Sequence, residues 1–297
     1  MISSDAHPNK GDINQGDAAR SRTQGAATAS DENSVQTFQG VRETLRENGV
    51  LELTLDLNEN NLLSLEAFHN IAATVERWSQ DERVKVMVLG SAALGFFSNG
   101  LDPRNFYARP EADVREFVRA SVSVMERIFF FPVPVICAIP GHCMAAGAVM
   151  AICCDYRYML DRSGRIGYPE ANIALNFPGF ASRRLRDLIG ERATRDLLFD
   201  AKLLRPADAQ KLGLIDEAIF AESPEDFARQ VRARADKLAK VPIVSLRGIK
   251  DGLRRDYVYT MQETAIFDVD ELVKTVLTPQ AQEGILSLIE GRRPKFG

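Results

Sequence analysis

The sequence predicts an α/β fold with substantially parallel strand pairing, on three observations. Val50 to Leu57 alternates apolar and polar side chains, the period of a strand with one face toward solvent. Leu65 to Ser79 instead places Leu65, Phe68, Ile71, Ala72, Val75 and Trp78 at steps of three and four, which gathers them on one face of a helix. Val84 to Gly90 then returns to a nearly continuous apolar run of strand length. Strands joined through helices are crossover connections, and crossovers lay the strands parallel.

The elements follow in order. Ser64 stands where the first helix needs an N-cap. A second helix is predicted from Ala112 to Phe129, followed by a bend at Pro132 and Pro134 and a buried strand Val135 to Ile139. Ala145 to Ile152 reads as helix again. Three short helices are predicted over Arg183 to Ile189, Glu191 to Phe199 and Pro206 to Leu212, with Gly213 ending the last before a strand Leu214 to Ile219. Pro224 to Leu238 is an amphipathic helix with Ser223 as N-cap and Pro224 at its first position. Beyond Pro242 no strand pattern recurs. The expected organisation is therefore a core over 37–242 and a helical subdomain over 243–297.

Residues 1–36 differ from the rest: Ser, Ala, Asn, Asp, Gly and Gln dominate, and large apolar side chains too few to offset backbone ordering predict a disordered tail. That tail lacks the apolar centre of a secretory signal, and its acidic residues weaken a transit-peptide reading, although organelle import stays open. Composition sets further bounds. Of 297 residues 45% are hydrophobic, and 37 basic against 41 acidic side chains leave a net charge of −4, so nothing draws the chain toward nucleic acid or an anionic membrane. Ile128 to Ile139 is too short to span a bilayer and is broken by prolines. Cys137, Cys143, Cys153 and Cys154 lie in the apolar central third without metal-ligand spacing, which predicts free buried thiols, a reducing compartment such as the cytoplasm, and no metal.

Two stretches carry chemistry. Phe97-Ser98-Asn99-Gly100-Leu101-Asp102, and the run from Pro140-Gly141 through Ala145-Ala146-Gly147, each place small residues at a bend after a strand-like run. Such bends let a backbone N–H approach a ligand, and two amides aimed at one point stabilise charge on a carbonyl oxygen. Downstream, Glu170 follows Gly167-Tyr168-Pro169 and precedes a segment of Ile, Ala, Leu and Phe, where apolar surroundings suit a carboxyl group that moves protons. Taken singly, Gly100 reads equally as a turn glycine, Ala145 to Gly147 as a helix-packing site, and Glu170 as a solvated loop acid. Asp102 suits a loop anchor, and His142 a packing or capping residue.

In order, FSNGLD (97–102), PGHCMAAGAVMAICCDYRYM (140–159) and GYPEANIALNFPG (167–179) resemble the crotonase, or enoyl-CoA hydratase/isomerase, superfamily. The likeness continues through Leu203 to Ala209 and Lys211 to Asp216. It implies a crotonase-like spiral of strand-strand-helix turns with a C-terminal helical subdomain, homotrimers or hexamers, and acyl-CoA thioester substrates, coenzyme A entering with the substrate and no separate cofactor. By this resemblance Leu101 and Ala146 supply the oxyanion amides, Glu170 is catalytic, and Asn99, Gly100, Arg104, Gly147 and Val149 face the substrate; Asn176, polar in an apolar segment, is read as a substrate-binding residue that touches the acyl chain or Glu170. Arg292, Arg293 and Lys295 lie where the family's terminal helix approaches a neighbouring subunit's ligand. Hydratases of the superfamily use two glutamates, and the position of the first is Val149 here. The single acid is similar to the pattern of the monofunctional delta-3, delta-2 enoyl-CoA isomerases, so the expected activity shifts 3-enoyl to 2-enoyl thioesters. The alternatives are an enoyl-CoA hydratase or another crotonase-type hydrolase or decarboxylase, and a catalytically inactive crotonase-like binding protein.

Overall fold

Gly49 sets the first turn. Its φ of +85° suits a residue without a side chain, and a Cβ there would lie 2.7 Å from the Arg83 carbonyl oxygen. Around it β1 (Val41–Leu45) and β2 (Val50–Leu55) pair antiparallel. The computed structural model describes residues 39–93 and 95–297, and for 260–267 the backbone alone. The tail expected over 1–36 lies outside the described residues.

From β2 onward the chain winds. Helix α1 (Leu65–Ser79) starts where the Ser64 hydroxyl accepts the Ala67 N–H, and β3 (Val86–Ser91) returns parallel to β2. The next strand, β4 (Phe96–Ser98), leaves β3 for a second sheet and leads to α2 (Glu111–Phe129). The same sequence repeats as β5 (Val135–Ile139), β6 (His142–Met144) and α3 (Ala146–Cys153), then as β7 (Tyr156–Leu160) and β8 (Ile166–Gly167). Each turn thus gives one strand to each sheet before its helix, the strand-strand-helix spiral that the resemblance implied.

Further along lie α4 (Gly179–Ile189), α5 (Glu191–Phe199), β9 (Leu203–Leu204), α6 (Pro206–Leu212), β10 (Glu217–Ile219), α7 (Pro224–Leu238), α8 (Ile243–Val276) and α9 (Pro279–Ile289). Among the described residues the larger sheet has the order β1-β2-β3-β5-β7-β10 and the smaller β4-β6-β8-β9. All pairings are parallel except those of β1 with β2 and β8 with β9.

The larger sheet is buried on both faces, which explains its apolar strands. Leu51, Leu53, Leu55, Met87, Leu89, Val135 and Cys137 point into the main core with Phe68, Phe117 and Phe129, whereas Val50, Val86, Val88 and Ile136 meet Phe227, Val231 and Ala235 of α7 on the other side. Each fully buried Val, Leu, Ile or Phe contributes roughly 1.5–3 kcal/mol relative to exposure. The long helix α8 is fastened to this core by charge. Lys250 Nζ donates to Asp155 Oδ2 at 2.7 Å and to the Val133 carbonyl at 2.9 Å, and Arg254 donates to Asp155 Oδ1 at 2.7 Å. The Arg254 guanidinium also lies 3.8 Å from the Phe129 ring centroid.

Local pattern misses or misplaces β1, the start of α4 and the start of β10, besides the shortest strands. Strand β1 carries Arg42, Glu43 and Thr44 between its apolar ends, so its pairing with β2 outweighs a weak period. Helix α4 begins at Gly179, before the expected Arg183, because Asp268 of α8 accepts the Gly179 and Phe180 N–H groups, each at 3.1 Å. Strand β10 is confined to 217–219: the preceding Leu214 carbonyl accepts from Arg157 Nε at 2.9 Å, and the Asp216 N–H donates to the Arg157 carbonyl at 2.9 Å.

Candidate active site

Two backbone segments meet where the smaller sheet ends. Leu63 pairs with Leu101 as an isolated parallel bridge, the Leu63 N–H donating to the Gly100 carbonyl at 2.9 Å and the Asp102 N–H to the Leu63 carbonyl at 3.0 Å. In such a bridge the flanking residues are spent on Leu63, so the N–H of Leu101 itself points away from it, toward β6 and α3. Gly100 makes the bend possible with a φ of +90°, and a Cβ there would come within 3.0 Å of Ala145 Cβ and 3.6 Å of Ala146 N. A Cβ on Gly147 would lie 2.7 Å from Ser98 Cβ. These two glycines are therefore the contact between the segments, and they bring the Leu101 and Ala146 amides to the same wall.

On the second segment Ala145 carries a φ of +49°, a region an alanine rarely occupies. Its N–H donates to the Gly167 carbonyl at 3.0 Å and its carbonyl accepts from Val149 at 2.9 Å, which together hold the strained residue in place. Ala146 is then the first residue of α3, where N–H groups have no partner within the helix and the helix dipole favours negative charge.

Both residues line a cavity of about 690 Å³ together with Asn99, Val149, Glu170 and Asn176. Glu170 opens a single 3₁₀ turn, Glu170–Ile173, one residue (Pro169) beyond the fully buried Tyr168. Ala174 then takes a left-handed φ of +57°, and the Leu175 N–H donates back to the Glu170 carbonyl at 3.1 Å, closing the loop. Helix α9 packs on this turn so closely that a Cβ on Gly284 would fall 2.2 Å from the Ile173 carbonyl oxygen. Glu170 Oε2 is buried without a hydrogen-bond partner. Burial pushes its carboxyl up to about 7, only partly offset by a hydrogen bond from its own backbone amide.

The remaining site residues divide. Val149 is buried on α3 and presents an apolar side chain to the cavity. Asn176 lines the same space, and its Oδ1 is also buried without a partner. Gly100 and Gly147 stand behind the wall as contacts between backbones. Arg104, expected to face the substrate, does not line the cavity; it lies 72% exposed and pairs at 2.7 Å with Asp102. Asp102 also accepts the Arg104 N–H at 3.0 Å, capping the 3₁₀ turn at Pro103–Asn105. Arg292 and Arg293 do reach the cavity, although Arg292 is tied to Glu283 and Glu290.

Sequence reasoning missed part of the wall. Phe117, Val118, Val122 and Met125 from α2, Leu272 and Val276 from α8, and a second carboxylate, Asp268, all line the cavity. No local signal could have found them, since tertiary packing alone brings α8 over α2 and α4. Asp268 differs from Glu170 because both its oxygens serve as a helix cap. Among the described residues no group of three or more His, Cys, Asp or Glu side chains is placed to hold a metal ion, and the four cysteines are free and buried. No described helix is long and apolar enough to cross a membrane.

Comparison with known proteins agrees with this architecture. The sequence pattern of the enoyl-CoA hydratase/isomerase family matches residues 45–297. The chain is 29% identical over 238 residues to the rat protein named enoyl-CoA delta isomerase 1, mitochondrial, covering 80% of this chain and 81% of the relative. It is 26% identical over 249 residues to the probable enoyl-CoA hydratase of Bacillus subtilis (strain 168), covering 83% and 95%. The crystal structure of human mitochondrial delta3-delta2-enoyl-CoA isomerase is similar in fold, with a TM-score of 0.81, 24% identity, and coverage of 85% of this chain and 98% of that one.

Proposed function

Because the chain belongs to the enoyl-CoA hydratase/isomerase family and is an enzyme of the crotonase superfamily, we propose that it moves the double bond of a 3-enoyl-CoA thioester to the 2-position, with Glu170 as the proton carrier. The observation that carries this reading is an unpartnered, buried Glu170 oxygen in a cavity whose wall has the apolar Val149 of α3 at the position of a hydratase's first acid. A carboxyl so placed has a raised proton affinity, and the other described carboxylate of the cavity wall, Asp268, is engaged in capping α4.

The chemistry follows from the geometry. The thioester oxygen lies between the Leu101 and Ala146 N–H groups, which hold it more strongly as it becomes an enolate oxygen; one such donor is worth about 2.7–4 kcal/mol. Glu170 in its ionised form takes a proton from C2, and the electron pair moves into the dienolate. The carboxylic acid then returns the same proton to C4, leaving the double bond between C2 and C3. Mass is conserved and the carboxylate is regenerated. A value near neutrality suits both halves, since the group must accept and then release a proton at similar cost.

A homotrimer belongs to the same reading. Val244, Ile249, Leu253 and Tyr259 of α8 are exposed, which supports burial against further copies, and light scattering on the purified chain tests it. The deciding experiment for the activity is incubation with a defined 3-enoyl-CoA and analysis of product mass and double-bond position. A 2-enoyl product of unchanged mass is expected. A product heavier by one water, or free coenzyme A, would overturn the isomerase reading in favour of hydration or hydrolysis.

A further inference from the structure

Much of the cavity lining is hydrocarbon, with Phe117, Val118, Val122 and Met125 from α2 and Leu272 and Val276 from α8. Polar side chains that reach this wall are mostly committed to the protein. The Ser121 hydroxyl donates to the Val118 carbonyl at 2.7 Å, and Asp268 caps α4. Asn99 and Asn172 sit exposed at the rim. Asn176 is different. It stands two residues before Pro178 at the entry to α4, lines the cavity, and has its Oδ1 buried without a partner. Nor is it a partner of the nearby acid: Glu170 Oε2 is itself unpartnered, so the fold brings both groups to one cavity without joining them.

The consequence appears when a ligand enters. A buried amide oxygen without a partner costs about 1–3 kcal/mol, and an acyl chain of plain hydrocarbon leaves it in that state, whereas an oxygen function on the chain can pair the carboxamide. A leucine would have served a plain hydrocarbon chain better at this position. We propose that Asn176 selects the acyl group, favouring enoyl thioesters whose chain carries a hydrogen-bonding oxygen, a hydroxyl or a carbonyl, over unsubstituted hydrocarbon chains. A carboxamide offers both a donor and an acceptor, so either oxygen function is matched. This rests on the isomerase reading for its turnover assay and on the cavity alone for its binding assay.

The test compares matched thioesters with wild type and Asn176→Leu. Calorimetry with saturated acyl-CoAs, one plain and one hydroxylated beyond C4, measures recognition without any chemistry. Wild type should bind the hydroxylated member about 5–150-fold tighter, the range set by one buried hydrogen bond, and Asn176→Leu should lose or invert that ratio. The corresponding 3-enoyl pair should show the same ratio in kcat/KM, read as double-bond shift. Equal or weaker binding of the hydroxylated chain by wild type would overturn the proposal. So would an Asn176→Leu variant that slows both substrates equally and shifts the pH profile, which would make Asn176 a positioning residue for Glu170. Failure of the isomerase reading looks different: neither enoyl thioester would change its double-bond position, while the binding ratio would still report on Asn176.

Discussion

Asp155 and Glu170 stand on either side of β7, each a partly buried carboxylate in the same fold, and the molecule treats them in opposite ways. Burial alone would raise Asp155, yet Lys250 and Arg254 outweigh it and hold its carboxyl below the usual range; the Val135 N–H adds a hydrogen bond at 2.8 Å. Glu170 receives the burial without the cations, and its carboxyl rises to about 7. The difference lies in neighbours and not in depth. One carboxylate rivets α8 to the sheet and stays charged; the other keeps a proton near neutral pH.

The strongest way to break this comparison is to remove each carboxylate in turn. Glu170→Gln should lower kcat by about 10²–10⁴-fold, the usual worth of a positioned acid-base group, and isomerase assays on one 3-enoyl-CoA check it. Asp155→Asn should leave the pH profile of activity unchanged while costing on the order of 3–5 kcal/mol of stability, because Lys250 and Arg254 are left buried without their counter-ion; denaturant unfolding measures the loss. Stability also separates the two by sign. A raised carboxyl binds its proton more tightly in the folded chain, so stability falls as pH rises from the ordinary 4.5 to about 7 and is level above. Glu170→Gln should therefore be more stable than wild type at pH 8, by roughly 3 kcal/mol at most. Asp155 acts the other way: its contribution is present above its ordinary value near 3.8 and is lost as pH falls through its depressed one. The smallest effect belongs to Arg104→Ala. An exposed pair with Asp102 is worth about 0–1 kcal/mol, and KM for an acyl-CoA should hardly change if Arg104 stays clear of the substrate.

What could be read from the chain alone tracks how local its cause was. Helix α1 was legible end to end because its apolar spacing and the Ser64 cap both lie within the segment. Strands β6, β8 and β9 have two or three residues each, too few to show a period, and exist because partner strands hold them. At the site, Leu101, Ala146, Val149, Glu170 and Asn176 were legible through ordered motifs, and all five line one cavity. The strain at Ala145 was not, since alanine gives no warning of a positive φ. Nor was Asp268, whose place in the wall depends on α8 crossing α4 some ninety residues away in the chain, as its hydrogen bonds to Gly179 and Phe180 show.

Carbon-detected NMR titration of the Glu170 carboxyl, assigned by its loss in Glu170→Gln, tests the central claim most directly. The account predicts a midpoint near 7, well above the ordinary 4.5, with no cation paired to it. A midpoint at or below 4.5 would contradict it, because a carboxylate that ionises so readily is not held in apolar surroundings and has no proton to return at neutral pH.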